Sequence, residues 1–217
     1  MAQKIRKGLF ITFEGPEGCG KSTQSRRLSE DLSAQGLDVV YTAEPGGTGL
    51  GECIREIILK KDTVRMDNKA ELFLFEADRA QHVKEIILPA LDAGKIVICD
   101  RFNTATFAYQ GYGLGIDLGS IKRMDDISTA GTTPDLVVLM DIDVKAGLER
   151  AGSSGNADRM EKRNTEFHEK VRRGYLALAK RSKGKIKVIE VKEDIDGTYE
   201  KVKDVVRGVI EGYKRAG

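Results

Sequence analysis

Short runs of apolar and β-branched residues recur along the chain, and polar or glycine-rich stretches separate them. The five clearest runs are Leu9 to Phe13, Val39 to Thr42, Ile96 to Cys99, Leu136 to Met140 and Ile186 to Val191. Strands that are apolar on both faces and alternate with helices are typical of parallel sheets. The pattern therefore predicts a three-layer α/β fold, in which helices flank a five-stranded parallel sheet.

Helical periodicity fills the intervals between these strands. From Lys69 to Ala93, apolar residues recur every three or four positions, which predicts one long amphipathic helix. Other helices are predicted to begin near Lys21, to follow residue 49, to span Ser120 to Thr129 and Val144 to Arg150, and to begin at Asp158. The helix at 120–129 has its apolar residues on one side, which is typical of a core helix or a subunit contact.

A glycine- and serine-rich run from Ala151 to Ala157 separates two predicted helices, and Arg150, Arg159 and Arg163 flank it. Two interpretations fit this arrangement. One is a small lid, at about residues 150–163, that closes cations over a phosphate. The other is a disordered surface loop, and composition alone does not separate the two.

The overall composition narrows the class of protein. The chain has 217 residues, of which 40% are hydrophobic and 32% charged, so we expect one soluble domain of ordinary size over residues 1–217. The longest apolar runs are too short to cross a bilayer, and the basic first residues lead straight into a strand. We therefore expect a cytoplasmic protein without a membrane span or signal peptide.

The charge pattern and the positions of cysteines and histidines argue against a nucleic-acid-binding protein, a disulfide-rich protein and a zinc site. The net charge is +2 and basic residues are interleaved with acids, which is not the pattern of a nucleic-acid-binding face. Cys19, Cys53 and Cys99 are too widely spaced for a disulfide framework or a zinc site. His82 and His168 lack partners at metal-ligand spacing, so we interpret both as structural.

The stretch after the first predicted strand is predicted to be a phosphate-binding loop. It fits the pattern Gly, four residues, Gly-Lys-Ser and consists of Gly15, Pro16, Glu17, Gly18, Cys19, Gly20, Lys21, Ser22 and Thr23. Its glycines let successive backbone N–H groups face one concavity, at the positive end of the following helix dipole. Lys21 is placed to reach the outer phosphates of a nucleoside triphosphate, and Ser22 to ligate the accompanying Mg²⁺.

Other candidates follow the ends of neighbouring strands, where ligands bind in parallel α/β folds. Asp100, a second candidate metal ligand, and Arg101 follow the third apolar run. The second run leads into a proline- and glycine-rich loop at 44–49, which must be shaped at the same rim. Residues 101–113 mix aromatic and polar side chains, and we expect them to form a loop that lines a site.

Two arginines, Arg55 and Arg79, can each be interpreted either as a ligand contact or as an ordinary structural charge. Arg55 lies near the glycine-rich loop, where either a ligand contact or a solvated helix charge explains it. Arg79 falls within the apolar stripe of the long helix, one turn after Phe75, and a charge there needs a partner or a polar cavity. The two side chains together suit a flat heterocycle with carbonyl edges, but an internal salt bridge explains Arg79 equally well.

Taken together, these residues resemble the thymidylate kinase family. The resemblance extends over nearly the whole chain, and the ordered set of motifs is much more specific than the phosphate loop alone. The motifs are Phe-Glu-Gly at 13–15, Glu-Pro-Gly-Gly-Thr at 44–48, Phe75 with Arg79, Asp-Arg-Phe at 100–102, Ala-Tyr-Gln-Gly at 108–111, Asp-Arg-Met-Glu at 158–161 and Gly-Tyr-Leu at 174–176.

The resemblance implies an α/β phosphate-loop kinase that uses ATP and Mg²⁺ to convert dTMP to dTDP, and it suggests a homodimer. By the same resemblance, Lys21, Arg101, Arg159 and Glu17 are the catalytic residues, with Glu17 facing the acceptor sugar. Phe75 would stack on thymine while Arg79 and Gln110 reach its polar edge. The remaining acceptor contacts would come from Glu44, Arg55, Arg101, Thr106 and Tyr109, of which the two arginines grip the phosphate and Tyr109 crowds the sugar 2′ position.

The chain departs from the family pattern at three places. Ala105 stands where a serine is usual, with Thr106 beside it, and Ala43 stands where bacterial members have an arginine before Glu-Pro. Gly18 stands where one branch of the family has an arginine in the phosphate loop. Branches without that arginine normally have arginines in the lid, but the run at 151–157 contains none. The alternatives are therefore a kinase for another nucleoside monophosphate and a nucleotide-binding regulator without turnover.

Overall fold

Five parallel strands form the centre of the structure, a computed structural model that describes residues 8–59, 65–152, 158–191 and 194–216. The strands are β1 (Leu9–Glu14), β2 (Val39–Ala43), β3 (Ile96–Asp100), β4 (Leu136–Asp141) and β5 (Ile186–Glu190). Their order across the sheet is β2-β3-β1-β4-β5. The predicted α/β fold with a five-stranded parallel sheet is confirmed.

Helices connect and cover these strands. They are α1 (Lys21–Ala34), α2 (Gly49–Leu59), α3 (Asn68–His82), α4 (Leu88–Asp92), α5 (Asn103–Thr106), α6 (Leu118–Ser128), α7 (Val144–Gly152), α8 (Thr165–Arg181) and α9 (Ile195–Ala216), with π-helical segments at Val83–Ile87 and Phe107–Gly113. Among the described residues, no helix combines the length and apolar character that a membrane crossing needs.

The core lies on both faces of the central strand β1, all of whose residues are buried. Because side chains alternate along a strand, Ile11 packs on one face in a cluster with Leu28 of α1 and Val202 of α9. Phe10 packs on the other face in a cluster with Leu91. Burial on both faces explains why β1, β3 and β4 have largely continuous apolar sequences, whereas the edge strands β2 and β5 are only partly buried. The parallel pairing of β1 with β3 places their carboxyl ends at one edge.

The structure corrects four local predictions. The helix predicted from Lys69 to Ala93 begins at Asn68 and is interrupted by the π-helical turn at Val83–Ile87. The stretch 101–113 is mainly helical, because α5 runs directly into the π-helical segment Phe107–Gly113. Asp158 does not open a helix, since residues 158–164 form turns and α8 begins at Thr165, where the Asn164 side chain caps it.

The fourth correction concerns the C-terminal part of the chain. Helix α9 is not among the predicted helices, although Val202, Val206 and Ile210 recur at four-residue spacing and are buried against the sheet. Elsewhere in the fold, Gly113 and Gly174 allow α8 to approach the π-helical segment closely. A Cβ on Gly113 would lie 2.6 Å from Phe167, and one on Gly174 would lie 2.7 Å from Tyr112.

Candidate active site

The phosphate loop joins the end of β1 to the start of α1. Gly15, Gly18 and Gly20 have φ angles of 147°, 66° and 82°, which other residues rarely adopt. Space is also limited, because a Cβ on Gly18 would come within 1.9 Å of the carbonyl oxygen of Gly147. Lys21 Nζ donates to the Pro16 carbonyl at 3.3 Å, so its side chain folds back over the loop.

Ser22 and Asp100 meet beside this loop. The Ser22 hydroxyl donates to Asp100 Oδ2. The other carboxylate oxygen, Oδ1, is buried and has no hydrogen-bond partner among the described residues. A hydroxyl next to a carboxylate oxygen with free lone pairs is a donor set that fits Mg²⁺, which prefers oxygen ligands and keeps several of its waters or phosphate oxygens.

A cleft of about 440 Å³ opens next to the loop. It is lined by all nine residues predicted to bind the acceptor: Glu17, Glu44, Arg55, Phe75, Arg79, Arg101, Thr106, Tyr109 and Gln110. Lys21, Ser22 and Asp100 also line it, so the phosphate loop and the predicted acceptor residues share one cavity. They come from the ends of three strands and from five helical segments, which explains why they are scattered along the sequence.

Glu17, Arg101 and Tyr109 form the polar centre of the cleft. Arg101 Nη2 lies 2.8 Å from both carboxylate oxygens of Glu17, and the Tyr109 hydroxyl donates to Oε1 at 2.6 Å. Burial by itself raises the pKa of Glu17, but Arg101, Lys21 and the Tyr109 hydrogen bond outweigh it and lower the pKa to about 2. Glu17 is therefore an anion, and it sets the orientation of the cation next to it.

Arg101 owes its position to an unusual backbone conformation. Its φ angle is 70°, in the left-handed region that non-glycine residues seldom occupy. The residue directly follows β3, and its N–H donates to the Phe13 carbonyl at 2.9 Å. The sharp bend turns the side chain back to the phosphate loop, where Nη1 donates to the Gly15 carbonyl at 3.2 Å. Strain of this kind is concentrated at functional sites.

Arg79 both makes internal ion pairs and lines the cleft, so the two sequence-based interpretations are compatible. Its side chain is 2% exposed. The guanidinium donates to Glu44 Oε2 at 2.9 Å, to Glu76 Oε1 at 3.0 Å and to Thr106 Oγ1 at 2.9 Å. The hydroxyl of Thr106, next to Ala105, thus serves to position Arg79. A cation held on three sides offers a directed donor to a ligand.

Arg55 and Arg159 differ from Arg79 in their surroundings. Arg55 is exposed on α2, lines the cleft and donates to the Pro45 carbonyl at 2.7 Å. Arg159 lies outside the lining of the cleft, because Nη2 donates to Glu71 Oε2 at 2.6 Å and Nε to the Ile58 carbonyl at 2.8 Å. Covering a phosphoryl group would require Arg159 to exchange these partners. Residues 153–157 of the predicted lid lie outside the described part of the chain.

Several lining residues were not predicted from the sequence. Arg26 lies one turn after Ser22 on α1, a spacing that could have indicated it, and it stacks over Tyr41 at 5.2 Å. Asp158 and Glu161 line the cleft from the turns after residue 157, and Asp158 Oδ1 accepts from the Glu161 N–H at 2.9 Å. Their Asp-x-x-Glu spacing next to a glycine-rich run was the available signal.

A second cavity, of about 240 Å³, lies against the other side of the phosphate loop. It is lined by Gly18, Cys19, Gly20, Thr23, Gln24, Arg150, Val191, Ile195 and Thr198. The loop thus separates a charged cavity from a more apolar one. This arrangement provides room for two ligands that both present phosphates to the loop.

Comparison with known proteins shows one family throughout. The family model for thymidylate kinase matches residues 13–202. The chain is 45% identical to a thymidylate kinase of Desulfovibrio desulfuricans, covering 95% of this chain and 97% of that protein, and 47% identical to one of Solidesulfovibrio magneticus, covering 91% and 98%. A solved thymidylate kinase structure from Ehrlichia chaffeensis has 37% identity and a TM-score of 0.77, and the match covers 92% of this chain and 98% of that one.

Proposed function

The chain belongs to the thymidylate kinase family, and from this premise we propose how its two cavities carry out ATP-dependent phosphorylation of dTMP to dTDP. The protein is a phosphotransferase that uses ATP as donor. The observation that carries the residue assignment is the convergence of Lys21, Glu17 and Arg101 where the phosphate loop borders the cleft. Transfer of a phosphoryl group chiefly requires that two anions be positioned and their charge neutralised, so no protein nucleophile is needed.

The acceptor dTMP is proposed to occupy the larger cavity. Phe75 stacks on the thymine, and Arg79 and Gln110 contact its polar edge. Arg55 and Arg101 hold the monophosphate, with Arg101 oriented by Glu17. The sugar lies against Tyr109, whose ring fills the space beside the 2′ carbon.

The donor is proposed to span the phosphate loop, with its phosphates on the backbone N–H groups and Lys21. Its base enters the smaller cavity, where Val191 and Ile195 offer apolar contacts. We propose that the metal is Mg²⁺ and that Ser22 and Asp100 hold it, because the hydroxyl and the unpartnered Oδ1 supply oxygen ligands. A metal at that position supplies charge stabilisation for the phosphates.

The lid is proposed to comprise about residues 150–163, within one domain that spans residues 1–217. Arg159 is its proposed catalytic cation. Arg163 also contacts Glu71, so Arg159 can leave that carboxylate without depriving it of a charged partner. The transferring group then gains the cation that Gly18 cannot provide.

A homodimer is also proposed. Phe73 on α3 and Ile127 on α6 are large apolar side chains that are 60% and 81% exposed. Exposed apolar surface of this kind is typical of protein–protein interfaces. Sedimentation equilibrium should give a dimer for the wild type and a monomer for Phe73→Asp or Ile127→Asp.

A cytoplasmic location is proposed because both substrates are nucleotides of the cytoplasm, and cell fractionation tests it.

The reaction is tested by a coupled assay for ADP release in the presence of ATP and Mg²⁺. We expect fast release with dTMP and much slower release with dCMP, dUMP, AMP and GMP. Faster turnover of another monophosphate would identify a kinase with a different acceptor. Binding without ADP release would instead identify a regulator.

A further inference from the structure

Glu71 lies behind the wall of the cleft rather than in it. It belongs to the first turn of α3, and its side chain is 1% exposed. Oε1 accepts from Gln110 Nε2 at 3.0 Å, whereas Oε2 accepts from Arg159 Nη2 at 2.6 Å and from Arg163 Nη2 at 2.7 Å. One buried carboxylate therefore joins the π-helical segment Phe107–Gly113 to the turns at 158–164.

This contact dictates which way the Gln110 amide points. A carboxylate has only acceptor atoms, so the NH₂ group of Gln110 must face Glu71. Gln110 itself is 1% exposed and lines the cleft, which leaves its carbonyl oxygen as the group to present to a ligand. A reversed amide would set two acceptors against each other in a buried site, which is strongly unfavourable.

The two arginines fix the carboxylate in turn. Both guanidinium groups contact Oε2, so Oε1 is left for Gln110. Arg159 is itself held by the Ile58 carbonyl, and Arg163 stacks over Phe167 at 4.6 Å. Because the cations have their own supports, rotation of the carboxylate would break several contacts at once.

We propose that Glu71 is a positioning residue for base selection, which acts by holding the Gln110 carbonyl toward the cleft. The inference rests on the proposed function and deepens it. An acceptor at this point matches the N3–H group of thymine, whereas cytosine has a lone pair at N3 and an amino group in place of the O4 oxygen. Arg79, which can only donate, matches O4 in the same way. A site with buried polar groups rejects a base that leaves them unpaired.

The variant Glu71→Gln provides the sharpest test. Its single carbonyl oxygen is drawn to the two arginines, so its NH₂ group faces Gln110 and forces that amide to reverse. Gln110 then presents donors to the cleft, which suit cytosine N3. We expect the ratio of kcat/KM for dTMP to kcat/KM for dCMP to fall at least tenfold, an order-of-magnitude figure for one mismatched polar contact. Part of this change should be an increase for dCMP.

Two controls separate this role from a general loss of stability. In Arg163→Ala, Glu71 keeps Arg159 on Oε2 and still presents only acceptor atoms to Gln110, so the amide keeps its orientation and the ratio should stay within about twofold of the wild type. In a Gln110→Leu background, Glu71→Gln should leave the ratio unchanged, because the amide through which it acts is absent. If Glu71→Gln does not fold, Glu71→Asp, which is too short to reach both partners, should lower the ratio instead.

The outcomes are distinct. A reduced ratio in Glu71→Gln that disappears in the Gln110→Leu background supports the inference. An unchanged ratio in a folded Glu71→Gln or Glu71→Asp enzyme overturns it, and so does an equal reduction in Arg163→Ala. If the wild type does not phosphorylate dTMP at all, the proposed function fails, and that result is visible before any variant is assayed.

Discussion

Single charged side chains in the cleft hold one another in place. Arg101 is oriented by Glu17, and Arg79 by Glu44 and Glu76. A side chain whose orientation is already fixed loses little further freedom when a phosphate or base binds, and its charge acts in a site that is partly shielded from water. We therefore expect substitutions here to affect turnover more than folding.

Lys21→Ala tests this at the phosphate loop. We expect kcat to fall by about 10²-fold or more, because Lys21 is the side chain of the loop that can follow charge onto the transferring phosphoryl group. The melting temperature should change by no more than about 3 °C, since a loop side chain contributes little to the core. Steady-state kinetics and calorimetry measure both quantities. Lys122→Ala, at an exposed ion pair on α6, is the matched control, and retention of a tenth of wild-type kcat in Lys21→Ala contradicts the assignment.

Tyr109 allows the roles of its ring and its hydroxyl to be separated. Tyr109→Phe removes the hydrogen bond to Glu17, so kcat/KM for dTMP should fall about tenfold, the usual order for a bond to a charged group. The preference for dTMP over the ribose analogue should persist, because the bulk of the ring excludes the 2′-hydroxyl. Tyr109→Ala should narrow that preference. Equal wild-type activity on both sugars would show that Tyr109 does not select the sugar.

At the scale of elements, the π-helical segment Phe107–Gly113 and the turns at 158–164 contribute to the lining of the cleft. Helix α8 packs closely on the π-helical segment through Gly113 and Gly174, and Tyr109 contacts Phe167 edge to face at 6.1 Å. The wider turn of a π-helix redirects side chains, and such turns are frequent at functional sites. Motion of 158–164 therefore changes the cleft directly.

The arginines of these turns should have unequal effects. If Arg159 leaves Glu71 to cover the phosphoryl group, Arg159→Ala should lower kcat by roughly 10² to 10³-fold with little change in KM for dTMP. Arg163→Ala should lower kcat far less, because in the wild type the Arg163 guanidinium is held on Glu71 and Phe167 and is not the proposed cation of the phosphoryl group. Measurements of kcat and KM for both variants at saturating Mg²⁺ show whether each arginine acts on the phosphoryl group or only anchors the wall of the cleft. A rise in KM for dTMP in Arg159→Ala, without a loss of kcat, would show that Arg159 only anchors the acceptor wall.

At the scale of the whole molecule, buried carboxyl groups make stability depend on pH. Burial raises the pKa of Glu14 to about 7, although Arg101, the Phe102 N–H, Arg79 and Tyr175 oppose the shift. The pKa values of Asp78 and Asp125 are also raised, to about 7 and about 6, again chiefly by burial. Stability from these groups is fully present below their ordinary pKa values and is lost as the pH rises through the folded-state values.

Glu14→Gln tests one of these effects, at a site in the core. The wild type should lose stability between pH 5 and 8, and the variant should lose less by about 3 kcal/mol, since the pKa of Glu14 rises from 4.5 to about 7. Urea titrations at pH 5, 6, 7 and 8 measure the difference. Glu200→Gln, at an exposed ion pair, is the control and should follow the wild-type curve. Parallel curves for Glu14→Gln and the wild type would contradict the shift.

The sequence by itself determined the features that depend on neighbouring residues. A strand buried on both faces needs a continuous apolar run, and a phosphate loop needs glycines at fixed spacing, so β1, β3, β4 and residues 15–23 could be predicted directly. The partly buried edge strands β2 and β5 were indicated by their β-branched residues. Nine predicted acceptor residues also share the cleft, because parallel strands end at one edge and loops there converge.

Only the tertiary structure decided how distant side chains pair. Glu71 and Arg159 are 88 positions apart, and Arg79 meets Glu44 across 35 positions, so periodicity could indicate a buried charge without naming its partner. Contacts of this kind depend on which surfaces the fold brings together, and the free energy of burying a charge then selects the partner that satisfies it.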